Sequence, residues 1–283
     1  MFNRFIIFIK KKRNNKFVLM MSRTLIGRRF IKMLVPRFSK VFFTQNAERV
    51  CTVANMLADE KSRNTYLGMV KFRQTRKKRD FPILAVESSP QYFIDKLKLN
   101  NKEIFVDCGA YDGDTIDDFL KHCPDYKHII ALEPSPVTFE KLKEKHGTNP
   151  KITLLNSGVS DKEGEVLFST AHHHATAHSV IKMANLTGIN NLSTIKVRTI
   201  DNLDLEYISF IKMDIEGSEY DALIGAKKTI LRDRPKLAIC IYHTNEDMIR
   251  IAEYIHGLVP EYKLYVRQHD IYPNIDETVL YAL

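Results

Sequence analysis

A regular alternation of two patterns after residue 101 limits the fold more than any other feature of the chain. Short apolar runs of strand length are separated by longer segments in which apolar residues recur at helical spacing. This alternation predicts an α/β domain with a parallel sheet, right-handed crossovers and helices on both faces. The seven apolar runs are 104–106, 129–132, 152–155, 210–213, 237–241, 264–266 and 279–282.

Polar residues follow the first two runs, where ligands of parallel sheets bind. The first run leads into the segment DCGAYDGDT at 107–115, in which Gly109 and Gly113 permit a tight turn and close approach of a ligand to the backbone. Glu133 ends the second run, a place where an acidic side chain accepts hydrogen bonds from both ribose hydroxyls. Together these residues predict a nucleoside pocket. For the loop alone, an ordinary glycine-containing turn is the alternative.

The charge of this loop bears on which nucleoside it would bind. Carboxylates suit the positive end of a helix dipole, and Asp112 or Asp114 suits the cap position, but carboxylates repel a phosphate at short range. A dinucleotide is therefore disfavoured. S-adenosylmethionine has no phosphate and carries a cationic amino group and sulfonium, so it suits an acidic loop. The aspartates around the start of the first helix are Asp107, Asp112, Asp114, Asp117 and Asp118.

Four segments, taken in order, resemble the FkbM family of S-adenosylmethionine-dependent methyltransferases. They are VDCGAYDGDT at 106–115, LEP at 132–134, IKMDIEGSE at 211–219 and IYH at 241–243. The resemblance implies a class I methyltransferase fold, which is Rossmann-like, with a seven-stranded, mostly parallel sheet whose last strand is antiparallel. It also implies methylation of oxygen on sugars or natural products. The cofactor-binding residues that it implies are Asp107, Gly109, Tyr111, Gly113, Thr115, Glu133 and Asp214.

The chemistry of methyl transfer selects three further candidates. Transfer is an in-line displacement in which the protein mainly aligns donor and acceptor, and a hydroxyl acceptor also gains from a base that removes its proton. Residues after the fourth and fifth runs are placed for these tasks, so Asp214, Glu216 and His243 are the catalytic candidates. The carboxylates would position the acceptor, act as base, or do either with the help of a metal. His243 is either the base or a hydrogen-bonded structural residue.

Several residues near the catalytic candidates have a structural role as the alternative to a functional one. Ser218 suits a helix cap, Glu219 would then serve the helix terminus, and Asp214 would only order the turn. Arg267 and His269 follow the sixth run, where they either bind an acidic substrate group or lie on the solvated surface; we favour the surface.

A histidine cluster lies between the third and fourth runs. Neighbouring side chains on an extended chain face opposite sides, and no carboxylate or cysteine lies beside the cluster. We therefore favour a substrate-loop lining over metal ligands, although His174 and His178 would match across one helical turn. The resemblance to the FkbM family implies that acceptor specificity lies between the third and fourth strands, so we expect residues 170–192 to form part of a substrate lid. The histidines are His172, His173, His174 and His178.

Charge divides the chain into a basic extension and a near-neutral body. Residues 1–40 contain twelve Lys or Arg and no Asp or Glu, whereas the remainder carries 31 basic and 34 acidic residues. We expect a basic extension at 1–40, a mainly helical lead-in at 41–100 and a methyltransferase domain at 101–283. Met20 and Met21 leave open whether residues 1–19 are translated.

The extension contains a pattern typical of a short basic amphipathic helix that ends at Pro36. Such a helix would adsorb to an anionic membrane surface, with nucleic acid as a weaker alternative. A solvated or disordered extension is the plainer interpretation. The apolar residues on one helical face are Ile26, Phe30, Met33 and Leu34.

Cysteine usage and hydropathy bear on the compartment. The four cysteines show neither C-x-x-C spacing nor a Cys/His ligand pattern, which fits a reducing environment. The apolar run 5–9 is far shorter than the roughly 20 residues that cross a bilayer, and no signal peptide is expected. We expect a cytoplasmic protein, peripheral at the inner membrane surface if the extension binds lipid.

The combined expectation is an S-adenosylmethionine-dependent O-methyltransferase acting on a hydroxyl of a saccharide or glycan precursor with general-base assistance. Two alternatives are an RNA methyltransferase that uses the basic extension and a non-catalytic membrane-associated adaptor with the same fold. The acidic body disfavours nucleic acid as a partner. The acceptor, the methylated atom, the metal requirement and the oligomeric state do not follow from these patterns.

Overall fold

The computed structural model describes residues 25–82, 87–169, 179–181 and 192–283. Its strands are β1 Ile104–Cys108, β2 His128–Leu132, β3 Ile152–Leu155, β4 Gly158–Val159, β5 Gly164–Ser169, β6 Ser179–Ile181, β7 Leu192–Arg198, β8 Phe210–Met213, β9 Lys236–Cys240, β10 Leu264–Gln268 and β11 Thr278–Ala282. Its α-helices are α1 Leu25–Gln45, α2 Ala47–Met56, α3 Glu60–Thr75, α4 Asp114–His122, α5 Pro136–His146, α6 Glu219–Ile224, α7 Lys227–Asp233 and α8 Asp247–Leu258.

Seven of these strands form one sheet in the order β10-β11-β9-β8-β1-β2-β3. Neighbours are parallel except at β11, which runs antiparallel to both β9 and β10. Each strand corresponds to one of the seven apolar runs, so the predicted sheet and its antiparallel last strand are confirmed. The chain moves outward from β1 to β3 on one side and crosses to β8 on the other. This reversal leaves a crevice beyond the carboxyl ends of β1 and β8.

Side chains of β1 alternate between two buried faces of the sheet. The ring of Phe105 stacks on Phe119 of α4 and on Phe210 of β8, with ring centroids 4.7 Å apart in both pairs. Val106 belongs to the core on the opposite face, which includes Ile249 of α8. Burying one such side chain contributes about 1.5 to 3 kcal/mol. The prediction of helices on both faces is confirmed, and the two cores hold the strands in place beneath the crevice.

The N-terminal helices pack against the sheet domain. The amide of Ala58 donates to the carbonyl of Leu264 in β10 at 2.8 Å. Arg49 of α2 forms an ion pair with Glu253 of α8, with Nη2 and Oε2 2.6 Å apart. These contacts fix α2 and the start of α3 beside β10 and α8.

Helix α1 continues through Pro36, so the predicted interruption there is wrong. A proline removes one helical hydrogen bond, but Phe43 on the following turns is buried in the core, and this packing offsets the loss. Residues 1–24 and the side chains of 25–34 lie outside the described part of the chain, and the amphipathic face falls there. No described helix is long and apolar enough to cross a membrane.

The chain between α3 and β1 is mostly irregular. Helix α3 ends where Arg76 adopts a left-handed conformation with φ of 55°. Beyond it, the described residues form only the short 3-10 turns Lys78–Asp80 and Asp95–Leu97 before β1. Within the expected mainly helical segment at 41–100, the α-helices of the described residues thus lie before residue 76.

A second sheet, in the order β4-β7-β5-β6, interrupts the alternation between β3 and β8. This sheet was not among the predicted elements. Strands β5 and β7 pair antiparallel, from Gly164 opposite Val197 to Ser169 opposite Leu192. Of the expected lid at 170–192, only β6 and the first residue of β7 are described. The four clustered histidines lie outside the described residues.

Candidate active site

A cavity of about 950 Å³ opens beyond the carboxyl ends of β1, β2, β8 and β9. It has two parts, which we name by their strands: a β1–β2 half at residues 109–115 and 133–134, and a β8–β9 half at residues 214–218 and 242–245. Seven of the nine predicted site residues line it, whereas Asp107 and Gly113 lie behind its wall. The seven are Gly109, Tyr111, Thr115, Glu133, Asp214, Glu216 and His243.

Two glycines shape the loop of the β1–β2 half. Gly109 has φ of +80°, and a Cβ there would lie 2.0 Å from the carbonyl oxygen of Asp214. Gly113 has φ of +91°, and a Cβ there would lie 2.6 Å from the imidazole of His146. Any other residue at Gly109 would push the loops after β1 and β8 apart. Gly113 instead lets the loop pack on α5.

The start of α4 differs from the predicted cap. Gly113 occupies the N-cap position and no side chain caps the helix there, so the expected capping by Asp112 or Asp114 is wrong. The Asp114 carboxylate instead accepts from the neighbouring amide of Thr115 at 2.7 Å. A glycine at the N-cap position has no side-chain oxygen to accept a hydrogen bond from the first amides of the helix.

A buried ion pair lies under the loop. Lys212 Nζ lies 2.9 Å from Asp107 Oδ1, and the two side chains are 2% and 0% exposed. Lys212 also donates to the carbonyl of Gly109 at 2.7 Å. Burial raises the pKa of Asp107. Burial lowers the pKa of Lys212, but the charges of Asp107 and Asp214 outweigh it, so the net pKa rises and the lysine stays charged.

Sequence analysis gave Lys212 no role, although a lysine within a four-residue strand of otherwise apolar residues is itself a signal. Asp107 was predicted to bind the cofactor. The structure places it one layer lower, where it holds the lysine that supports the Gly109 turn.

Glu133 is buried at the end of β2 with its carboxylate on the cavity wall. It accepts hydrogen bonds from the amides of Tyr111 at 3.1 Å and Ser135 at 2.8 Å. Burial raises its pKa to about 7, against the lowering effect of these two amides. The carboxylate is thus held in one orientation by backbone groups from both loops of the β1–β2 half.

Two tyrosines hold the carboxylate of Asp214. The hydroxyl of Tyr92 donates to Oδ2 at 2.8 Å, and the hydroxyl of Tyr242 donates to Oδ1 at 3.1 Å. Neither tyrosine was among the predicted site residues. Tyr242 directly precedes His243 after β9 and was open to recognition, whereas Tyr92 lies in the irregular segment before β1 and gave no signal.

His243 lies among three carboxylates, and its side chain is 9% exposed. Its Nδ1 is 3.0 Å from Glu219 Oε1, and its Nε2 is 3.4 Å from Asp214 Oδ1 and 3.5 Å from Glu216 Oε2. Burial lowers the pKa of His243, but the charges of Glu219 and Asp214 outweigh it and raise the pKa to about 9. Burial raises the pKa of Glu216 to about 7. As these distances show, each ring nitrogen of His243 faces at least one carboxylate oxygen.

The turn after β8 differs in detail from the predicted cap. Ser218 occupies the N-cap position of α6, but its side chain makes no capping hydrogen bond. Glu219 Oε1 instead accepts from the amide of Ile215 at 2.8 Å. Glu219 thus orders the turn and also faces His243.

The β8–β9 half extends to the N-terminal helices, which sequence analysis had not connected with the site. Phe38 and Ser39 of α1 line it, together with Arg73 of α3. Arg73 donates to the carbonyl of Tyr242 and to Asn245 Oδ1, the latter at 3.2 Å. This arginine therefore supports the chain that carries His243.

Arg267 and His269 do not line the cavity, and neither lies free on the surface as we had favoured. Arg267 is 3% exposed and forms ion pairs with Asp59 at 2.7 Å and Glu87 at 3.1 Å. His269 is near Tyr281, with Nε2 and the hydroxyl 2.8 Å apart, and burial lowers its pKa to about 4. Both residues join the lead-in segment to the sheet.

Comparison with known proteins identifies the family. Residues 107–267, more than half of the chain, match the family described as the methyltransferase FkbM domain. This chain belongs to the FkbM methyltransferase family. The matched residues include the whole β1–β2 half and the acidic cluster around His243, which confirms the predicted family.

Two relatives illustrate the similarity. The 2-O-methyltransferase NoeI of Sinorhizobium fredii (strain NBRC 101917 / NGR234) is 26% identical over 151 residues, which are 46% of this chain and 60% of that protein. The crystal structure of methyltransferase FkbM from Methylobacillus flagellatus KT superposes with a TM-score of 0.71 at 26% identity, over 86% of this chain and 60% of that one. This chain thus spans about three fifths of the length of each relative.

Proposed function

We propose that this FkbM family member is an S-adenosylmethionine-dependent O-methyltransferase that methylates a hydroxyl of a saccharide or glycan precursor. The observation that carries the proposal is the pairing of two halves in one cavity. A nucleoside-type loop with a buried carboxylate, Glu133, lies beside a cluster of proton-accepting groups around His243. The first half suits a methyl donor and the second suits a hydroxyl acceptor.

The β1–β2 half suits a cationic cofactor without phosphate. Asp114 and Glu133 line it, and Lys212, the one lysine among the described residues that line the cavity, is already paired with Asp107. The Glu133 carboxylate would accept from the ribose hydroxyls, while Gly109 and Thr115 would approach the remainder of the cofactor. A pyrophosphate at this place would meet carboxylates instead of free cations.

The β8–β9 half suits alignment and deprotonation of an alcohol. The acceptor oxygen would attack the methyl carbon in line with the sulfonium, and the carbon–sulfur bond would break to leave S-adenosylhomocysteine. Glu216 is 31% exposed and is the carboxylate of the cluster best placed to take the hydroxyl proton. Asp214 and His243 would orient the acceptor, since both are held by neighbouring groups. A role for His243 as the base stays a prediction.

Two features support a saccharide acceptor. The β8–β9 half presents amide and carboxylate side chains, among them Gln91, Asn245 and Glu277, which can bind several hydroxyl groups. The relative NoeI is named a 2-O-methyltransferase. Neither feature favours RNA, and the family membership argues against a non-catalytic adaptor.

The test is incubation of the protein with methyl-labelled S-adenosylmethionine and glycan extracts, followed by location of the label by mass spectrometry. We expect label on a hydroxyl oxygen of a saccharide. Label on RNA alone, or no transfer to any extract by protein that binds S-adenosylhomocysteine, would contradict the proposal.

The cytoplasmic location and the membrane contact are separate parts of the proposal. They rest on the cysteine pattern and on the twelve basic residues within 1–40. Flotation with vesicles of anionic lipid, with and without residues 1–34, which include the amphipathic face, tests the contact. Loss of flotation on deletion is expected, and equal flotation of both proteins would remove the role of the extension.

A further inference from the structure

The corner of the cavity between β8 and β9 contains an unusual set of potential ligand atoms. Asp214, Glu219 and His243 can each offer one atom such that all three atoms lie within 4.8 Å of one another. The geometry points to a divalent-cation site formed by these three residues, with Glu216 at its open side. Atoms bound at about 2.0 to 2.2 Å from an ion lie roughly 3 Å apart when at right angles, so a small inward movement would complete the site.

A second observation supports this site independently of the carboxylate count. Glu219 is fully buried, and its Oε2 makes no hydrogen bond with any described residue. The same holds for both ring nitrogens of His243, whose side chain is nine-tenths buried. Buried polar atoms in proteins are almost always hydrogen-bonded or metal-bound. A bound cation would satisfy Glu219 Oε2 and one ring nitrogen of His243, since a single ion can bind only one nitrogen of an imidazole.

The charge balance of the corner also favours a cation. Three carboxylates, Asp214, Glu216 and Glu219, surround one imidazole. Among the described residues that line the cavity, Lys212 is paired with Asp107, Arg73 donates to Tyr242 and Asn245, and no lysine or arginine forms an ion pair with Asp214, Glu216 or Glu219. Even a protonated His243 would leave a negative excess, which a divalent ion would compensate.

The supporting groups orient the proposed ligands. Tyr92 and Tyr242 donate to the carboxylate of Asp214, and the amide of Ile215 donates to Glu219 Oε1. Outer hydrogen bonds of this kind fix ligand orientation in metal sites. The turn that brings Glu216 and Glu219 to the same corner passes through left-handed conformations at Glu216, with φ of 56°, and Gly217, with φ of 93°.

The ligand types narrow the choice of ion. Two carboxylates and one imidazole, open to solvent on one side, suit Mn²⁺, Fe²⁺ or Zn²⁺ better than Ca²⁺, and the oxygen content allows Mg²⁺ to compete. The role of the bound ion in the reaction, whichever ion it is, rests on the proposed function. There the ion would bind the acceptor oxygen and stabilise its negative charge as Glu216 takes the proton, the oxygen–carbon bond forms and the carbon–sulfur bond breaks.

Binding of Mn²⁺ alone tests the site. Full-length protein is treated with a chelator, dialysed and titrated with MnCl₂, with calorimetry and the electron paramagnetic resonance signal of free Mn²⁺ as readouts. We expect one Mn²⁺ per chain, displaced by excess Zn²⁺. Glu219→Gln should weaken binding at least tenfold, because it keeps the oxygen that accepts from Ile215 but loses the charge.

The matched control is Glu277→Gln, which removes a carboxylate that lines the same cavity but accepts from Gln91 and forms no ion pair with His243. This variant should bind Mn²⁺ as the native protein does, and S-adenosylhomocysteine binding should verify that each variant is folded. Absence of Mn²⁺ binding by folded native protein, or equal weakening in both variants, would overturn the site. Full methyl transfer by metal-free protein would overturn its catalytic role and leave the proposed function standing. Mn²⁺ binding without any methyl transfer would support the site while the proposed function fails.

Discussion

The two halves of the cavity are built in different ways. The β1–β2 half consists of two short loops whose own backbone amides hold Glu133 and whose turn at Gly109 requires a left-handed φ of +80°. The β8–β9 half joins parts that are distant in the sequence: Tyr92 contacts Asp214 across 122 positions, and Arg73 contacts Tyr242 across 169. The comparison shows that local backbone conformation sets the shape of the first half, whereas tertiary packing sets the second.

The largest effect is expected where the two halves meet, at the buried pair of Lys212 and Asp107. Lys212→Met leaves a buried carboxylate without its partner, so the free energy of unfolding should fall by about 3 to 5 kcal/mol. Urea denaturation measures this. The double variant Asp107→Asn with Lys212→Met should recover much of the loss. If the single variant is as stable as the native protein, the pair does not join the halves.

A smaller loss of stability is expected from Gly109→Ala. The new Cβ would meet the carbonyl oxygen of Asp214, and the left-handed backbone is strained for alanine, so unfolding should become easier by about 2 to 3 kcal/mol. Gly257→Ala is the matched control in α8, where a Cβ has open space; it should be neutral or slightly stabilising. Equal effects of the two substitutions in urea denaturation would show that the Gly109 turn is not specially constrained.

The role of Glu133 is tested by Glu133→Ala and Glu133→Gln. Loss of charged hydrogen bonds to the ribose costs about 1.5 to 3 kcal/mol, so the affinity for S-adenosylhomocysteine should fall roughly 10- to 100-fold. Calorimetry measures it, and circular dichroism checks the fold. Normal affinity in both variants would remove the ribose role from the β1–β2 half.

Cofactor binding should also depend on pH through Glu133. Burial raises its pKa to about 7, and Lys212 and Asp107 are the charged groups that act on it. The ionised carboxylate is the better acceptor, so affinity should rise with pH up to about 7 and level off above it. Below 7 the decline approaches about tenfold per pH unit by linkage. Glu133→Gln should lack this dependence when titrated at pH 6, 7 and 8; a flat native profile would contradict the assignment.

The smallest effect is expected in the β8–β9 half from Phe38→Ala on α1. Phe38 lines the cavity without belonging to the fully buried core, so the acceptor should lose about 1 kcal/mol of contact, a roughly fivefold fall in kcat/KM. Affinity for S-adenosylhomocysteine should stay unchanged. A fall in cofactor affinity instead would mean that α1 serves both halves, which would break the comparison.

The contrast between local conformation in one half of the cavity and distant contacts in the other explains which parts of the fold and of the site could be predicted from the sequence. All seven strands of the main sheet were predicted because each is a local apolar run, and site residues were found because they directly follow those runs. Tyr92, Arg73 and Phe38 were missed because their roles depend on contacts with distant residues. The helix was wrongly predicted to end at Pro36 because the burial of Phe43 in the core outweighs the helix-breaking preference of proline. Within the second sheet, β4 is too short to show periodicity, whereas the alternation around Ile195 and Val197 in β7 was open to recognition.

A crystal structure of the protein with S-adenosylhomocysteine tests the central claim most directly. The ribose hydroxyls should lie on the carboxylate of Glu133, and the sulfur should point across the cavity toward Asp214 and His243, where the acceptor oxygen would approach. A ligand bound with its ribose away from Glu133, or with its sulfur facing away from the β8–β9 half, would contradict the account.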